Sequence, residues 1–250
     1  MIKIDELLLL SKNDIPFLDA QVNIHQPTIS EISFISEESF HIGCQLLTFS
    51  KNMLSKQDKS NLENTSDFDI FMSIMNGKEA VQQKECALKV LMLLFPTYQI
   101  DIVVDKIIIS NKELKFTTEI NAGNFLQFQE IVKTMFDMED SMGDGNQQDY
   151  NPADAFAAKI AEKLKKRKNQ LAEQNQMNFK KISIFSRYIS ILSVGERKDM
   201  NELMKYSVYQ LKDEIKRYRL KDQFDMYVKA KMAGAQDLEE VDDWMKDIHL

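Results

Sequence analysis

Apolar residues at helical spacing fill the C-terminal quarter of this chain, from Ile182 to Ile248, in four short runs, and three of the runs open on a capping signal. The first holds Ile184, Phe185, Tyr188, Ile189, Ile191 and Leu192, with Gly195 expected as the residue that closes it. Asp199-Met-Asn-Glu202 resembles a capping box ahead of a brief helix with Leu203 and Met204. Ser207-Val-Tyr-Gln210 opens another, carrying Val208, Leu211, Ile215 and Tyr218. Its continuation or successor carries Phe224, Tyr227, Val228 and Met232 and ends at Gly234. Asp237-Leu-Glu-Glu240 opens the last, with Leu238, Val241, Met245 and Ile248 on one face and Trp244 flanking it. Each cap is worth about 1 kcal/mol, so caps set boundaries. Burial of the stripes, at about 1.5–3 kcal/mol per large side chain, has to supply the stability.

Glycine and proline are scarce, 7 and 4 in 250 residues, which disfavours a turn-rich all-β fold. A net charge of −7 gives no general nucleic-acid-binding field. Asp5 and Glu6 precede the apolar run Leu7 to Leu10 where a signal peptide would need basic residues, so no secretory signal is expected. No apolar stretch approaches the ~18 residues of a membrane span, and a cytosolic location is the default.

Thr28 and Glu31 form a capping box behind Pro27, opening a helix with Ile29, Ile32, Phe34, Ile35 and Phe40 and a break expected at Gly43. Ser55 to Asn64 is a polar loop. Asp67 to Met75 is a short helix stopped by Asn76-Gly77, and Lys78 to Phe95 a longer one ended by Pro96. The period then changes to two: Ile100, Ile102 and Val104 alternate, Ile107 to Ile109 run together, Ser110-Asn111-Lys112 turns, and Leu114, Phe116, Thr118 and Ile120 alternate again. This predicts a β-hairpin, or two to three strands, covered by a helix from about Gly123 to Phe136.

Asp137 to Tyr150 holds five acidic residues, two glycines and no basic residue, and reads as an acidic linker. Asn151-Pro152 then starts a helix whose middle is basic: Lys159, Lys163, Lys165, Lys166, Arg167 and Lys168. The resulting division is an α+β domain over 1–136, a linker over 137–150, a basic bridging helix over 151–181 and an all-α module over 182–250. The fold class is α+β, predominantly helical.

No catalytic or metal-binding constellation stands out. Cys44 and Cys86 lie in apolar helical contexts and read as buried free thiols. His41 and Cys44, at i and i+3, share a helix face in the way a nucleophilic dyad would, a single pair at a common spacing. His25 precedes Pro27 and His249 is penultimate. Asp144-x-Asn146 resembles the start of a calcium loop, but no glutamate stands at the twelfth position. Gly143-Asp-Gly145 lacks the Lys-Ser/Thr of a phosphate loop. Glu37-Glu38, Glu239-Glu240 and Asp242-Asp243 diverge by about 100° on a helix and read as solvated faces. The basic run could track phosphates, though no aromatic residues interleave it. Fourteen methionines, among them Met72, Met75, Met92, Met135, Met138, Met204, Met226, Met232 and Met245, suit either core gap-filling or an adaptable apolar surface.

Tyr150-Asn-Pro-Ala-Asp154 with the basic helix, Ile182 through Gly195, and Tyr206-Ser-Val-Tyr-Gln-Leu211 through Ala235 to Asp247 together resemble tail-assembly-associated proteins of phages of Gram-positive bacteria. The resemblance implies a tail assembly chaperone in the host cytoplasm that holds the apolar helices of a tape-measure protein soluble, with no cofactor and no catalytic residue. Such a protein needs amphipathic grooves and adaptable contacts. The alternatives are a structural tail or neck component of the virion and a DNA-associated protein using Lys159 to Lys168. A homo-oligomer is compatible with either tail role.

Overall fold

A computed structural model of the chain describes residues 4–18, 21–51, 65–77, 80–113, 115–138, 183–234, 241 and 244–245. The expected loop at 55–64, nearly all of the acidic linker, the basic helix and most of the last helix lie outside the described residues, as do all six residues of the basic run.

The order is α1 (Glu6–Ser11), β1 (Ile15–Phe17), β2 (Val22–Ile24), α2 (Ile29–Ile35), α3 (Glu37–Leu47), α4 (Asp67–Asn76), α5 (Val81–Leu94), β3 (Gln99–Val103), β4 (Lys106–Asn111), β5 (Phe116–Ile120), α6 (Phe125–Met135), α7 (Ile184–Glu196), α8 (Met200–Leu203) and α9 (Val208–Met232). The fold is α+β and predominantly helical, with two small antiparallel sheets. β1 pairs with β2, and β3-β4-β5 form a meander with Ile100 opposite Ile109 and Ile107 opposite Ile120. Ile107, Ile109 and Ile120 point into the core, and the face of α6 that carries Phe125, Phe128, Ile131 and Val132 is buried with them. Leu94 O accepts from His25 N at the end of β2, tying the first sheet to the end of α5.

The capping box at Thr28 forms as read, but its helix stops at Ile35 rather than running through Phe40. Ser36 adopts φ 71° and its hydroxyl accepts from Ser39 N, so it ends α2 and caps α3. Two acidic residues in the first turn of α3 favour the restart. Gly43 is not a break. It sits inside α3 where that helix meets α5, and a Cβ there would lie 2.5 Å from the Cys86 carbonyl oxygen and 2.6 Å from Val90 Cγ2. The glycine permits the close crossing of two helices. The expected turn at Ser110–Lys112 falls slightly later, since β4 continues through Asn111; a second turn at Val104-Asp105 makes the sheet three-stranded. The short strands β1 and β2, each with one exposed residue between two buried ones, carry too few alternations to register in the sequence.

In the C-terminal segment, α9 is one helix of 25 residues opened by the Ser207–Gln210 capping box. Asp199 caps α8 by accepting from Asn201 N. Gly195 lies inside α7, and Arg197 supplies the left-handed closing residue at φ 57°. A Cβ at Gly195 would overlap the Tyr218 phenol ring, so this glycine lets α7 and α9 approach. Phe185, Ile189, Leu192, Leu203, Val208, Leu211 and Ile215 belong to the same buried cluster as the residues of the first 136 positions. Among the described residues, the segments read as two domains share one core.

Candidate interaction surface

The reactive side chains flagged in the sequence are absorbed by packing. Cys44 is 1% exposed, and burial pushes its thiol far above the ordinary range despite the opposing charge of Lys212. His41 turns Nε2 to Glu37 Oε1 at 3.3 Å and lays its ring against Phe40 and Phe185, so it faces the C-terminal segment rather than serving a thiol. Cys86 is buried and, like Cys44, free. His25 bridges Asp14 Oδ1 at 3.0 Å and Glu31 Oε2 at 3.4 Å. Among the described residues no group of three His, Cys, Asp or Glu side chains could hold a metal ion.

Glu37, half of an acidic pair read as solvated, is the residue that the sequence hid. Its Oε1 accepts from Ile184 N at 2.9 Å and Phe185 N at 3.2 Å, capping α7 from 147 positions away. Ser183 caps the same turn locally, accepting from Ser186 N. Burial works to raise the Glu37 carboxyl, but bonds from His41, Ser183 and the two amides outweigh it and hold it below the ordinary carboxylate range. The helix N-terminus gains a charge where its unpaired amides point.

The rest of the junction follows the same logic of helix ends. Ile29 N and Ser30 N, unpaired at the start of α2, donate to Tyr206 O and Met204 O just past α8, and Thr28 forms a bridge with Ser207. Lys212 Nζ donates to Phe136 O at 2.8 Å and Asp137 O at 2.9 Å beyond the end of α6, and Lys216 pairs with Asp137 at 2.9 Å. Lys12 Nζ donates to Lys205 O and Gln210 Nε2 to Leu10 O. Phe40 completes the contact, 4.9 Å from Phe136 and 6.1 Å from Phe185 between ring centres.

Several large apolar side chains stay outside this core, many of them methionine. Met72, Met75 and Met135 fill core gaps, whereas Met92, Met200, Met226, Met232 and Met245 are exposed, Met232 by 83%. The methionines therefore divide between core and surface. Phe34 on α2, Val194 on α7 and Val228 on α9 are exposed as well, Phe34 by 85%. The first half of α9 is buried through Ile215; beyond Arg219 its apolar residues are half-buried or exposed.

Beside that transition lies an open cleft of about 440 Å³. Leu10, Tyr206, Tyr218 and Trp244 supply its apolar and aromatic walls. Lys198 is held at its edge by Glu214 and Glu196, 5.7 Å over the Tyr206 ring, and Arg217 pairs with Asp213. The arrangement offers aromatic and aliphatic contact ringed by paired charges, a surface suited to an amphipathic segment.

Residues 173–249 match the family model described as the second domain of YomV, a phage-derived family. The match covers just under a third of the chain and coincides with the segment that builds α7 to α9. No curated protein and no solved structure matches the chain. No helix among the described residues is long and apolar enough to cross a membrane.

Proposed function

We propose that this chain is a phage tail assembly chaperone-like protein that binds the tape-measure protein, or another tail protein, during tail morphogenesis in the host cytoplasm. The likeness of residues 173–249 to a phage-derived domain carries the reading. The exposed methionines of that same segment, beside a cleft with half-buried aromatic walls, are what a holder of apolar helices needs. The proposal assigns the protein to contact rather than turnover, without cofactor. Lys159, Lys163, Lys165, Lys166, Arg167 and Lys168 are candidate contacts to a partner or to phosphate, outside the surface assigned to the tape-measure protein.

The test is co-expression with the tape-measure protein of the same genome, followed by pull-down and a solubility assay. Retention of the tape-measure protein in the soluble fraction, bound to this chain, is the expected result. Recovery of the chain in purified particles without such binding contradicts the proposal and identifies a structural virion component. Neutralising Lys163, Lys165, Lys166 and Arg167 should leave tape-measure solubility unchanged in sign; salt-sensitive DNA binding lost in that variant would instead support the DNA-associated reading.

A further inference from the structure

The three-stranded sheet ends on β3, and the direction of that strand's unused backbone groups follows from one bond at the opposite edge. Asn124 Nδ2 donates to Glu119 O at 3.0 Å, so the Glu119 carbonyl points away from β4. In an antiparallel ladder, successive residues turn their backbone groups alternately to one side and the other. Thr118 and Ile120 therefore exchange bonds with Ile109 and Ile107, and β4 turns the backbone of Lys106, Ile108 and Ser110 toward β3. The partners there are Val103, Asp101 and Gln99, which leaves the N–H and C=O of Ile100 and Ile102 pointing out of the sheet. Among the described residues no hydrogen bond reaches those groups.

The side chains of this edge are open as well. Ile100 and Ile102 stand opposite Ile109 and Ile107, which are fully buried, yet both are only half-buried. The apolar layer stops one strand short. Gln99 and Asp101 are exposed on the other side of the sheet. Gln99–Val103 holds no proline or lysine, and its register with β4 has no bulge, so the usual devices that blunt an edge are missing. Asp101 is the strand's one charge, met by Gln99 Nε2 at 3.1 Å and by no cation among the described residues. α4 reaches the edge beyond the strand, where Asn76 Nδ2 donates to Val104 O at 3.1 Å.

We propose that β3 is a docking edge for an extended segment of another protein. The segment adds antiparallel as a fourth strand, covers Ile100 and Ile102 with apolar side chains and sets a lysine or arginine opposite Asp101. Backbone bonds to Ile100 and Ile102 hold it, and Asp101 selects it. A second copy of this chain fits poorly. Its Ile102 and Ile100 would have to pair with Ile100 and Ile102, which sets Asp101 against Asp101 with Cα atoms about 4.5 Å apart. Like charges directly opposite are destabilising, whereas a basic residue there is attracted. The edge shares no residue with the cleft beside α9, and this inference goes beyond tape-measure binding.

The probe is a synthetic peptide, Thr-Ile-Lys-Val-Thr, acetylated and amidated. Its Ile, Lys and Val fall opposite Ile102, Asp101 and Ile100. The readout is amide hydrogen exchange of the full-length protein, resolved by residue. Without peptide, the Ile100 and Ile102 amides should exchange near the unprotected rate, having no acceptor. The peptide, taken to its solubility limit, should slow both several-fold. Replacing its Lys by Asp should remove most of the effect, and Asp101→Lys, checked for native circular dichroism, should reverse that preference. The Lys peptide N-methylated at its Ile and Val, which lacks the hydrogens facing β3, should have no effect. Unchanged exchange at Ile100 and Ile102 with the Lys peptide overturns the proposal. So does equal slowing by the Lys and Asp peptides, or by the N-methylated one. Slowing that rises with protein concentration in the absence of peptide identifies a second copy as the occupant and also overturns it. None of these results depends on the tape-measure protein, so failure here and failure of the proposed function are separable.

Discussion

The two halves of α9 share one helix and one capping box but live in different environments. Val208, Leu211 and Ile215 sit in the core with residues from the first 136 positions, whereas Met226, Val228 and Met232 face outward. The difference lies in what each half can be packed against. The first half is met by α1, by α7 through Gly195, and by the end of α6 through Lys212 and Lys216. The second half extends past all of these. One helix is thereby a core element at one end and exposed at the other.

The sharpest way to break this comparison is to truncate one residue in each half. Leu211→Ala should cost about 2–5 kcal/mol of stability, because Leu211 is fully buried and its removal leaves a cavity. Met232→Ala and Val228→Ala should change it by no more than about 0.5 kcal/mol. Urea denaturation of the three variants decides this. A loss at Val228 or Met232 comparable to that at Leu211 would show that the outer half is core as well.

The glycine contacts give a second comparison. Gly43→Ala drives a methyl group against the backbone of α5, and Gly195→Ala drives one into the Tyr218 ring. Overpacking of this kind costs about 1–3 kcal/mol. Adding Tyr218→Ala should rescue much of the Gly195 loss, whereas no side-chain truncation relieves a clash with the Cys86 carbonyl. Thermal melts of the single and double variants test this, and equal losses with and without Tyr218 would argue against the close approach of α7 and α9.

Glu37 gives a pH-dependent test of the junction. Its carboxyl titrates below the ordinary value of 4.5 in the folded chain, so the unfolded chain binds more protons across that window. The stability it contributes is present above the unfolded value and is lost as pH falls through the lowered one. Glu37→Ala should cost about 1–3 kcal/mol near neutral pH, and Glu37→Gln less, as an amide oxygen still accepts from the helix. Stability measured from pH 7 to pH 3 should fall less steeply in Glu37→Gln than in the wild-type chain. Smaller again, Ser207→Ala and Thr28→Ala should each cost about 1 kcal/mol. Their backbones pair with each other, so a double variant whose cost departs from the sum would show that the two caps are coupled.

Periodicity and capping signals carried much of this architecture in the sequence. The boxes at Thr28 and Ser207 stand where the side-chain pattern places them, and the alternation from Ile100 to Ile120 becomes a sheet. Tertiary contact was not legible. Gly43 and Gly195 were read as local punctuation, yet both are spaces left for another helix, which one segment cannot reveal. The Ser36-Glu37-Glu38-Ser39 restart was a readable cap masked by the continuous apolar stripe around it. Glu37 looked like any surface carboxylate because the amides it caps lie beyond residue 182. The basic residues from Lys159 to Lys168 fall outside the described residues, and the cleft needed three chain segments to be seen together.

Hydrogen exchange on the full-length protein, resolved by residue, tests the shared core most directly. If α9 is core to Ile215 and surface beyond Arg219, amides of 211–215 should exchange as slowly as those of α5 and α6, while those of 224–232 exchange orders of magnitude faster. Uniform, intermediate exchange along the whole of α9, with residues 183–232 opening as a unit before α5 and α6, would contradict it and show a separately folding C-terminal domain.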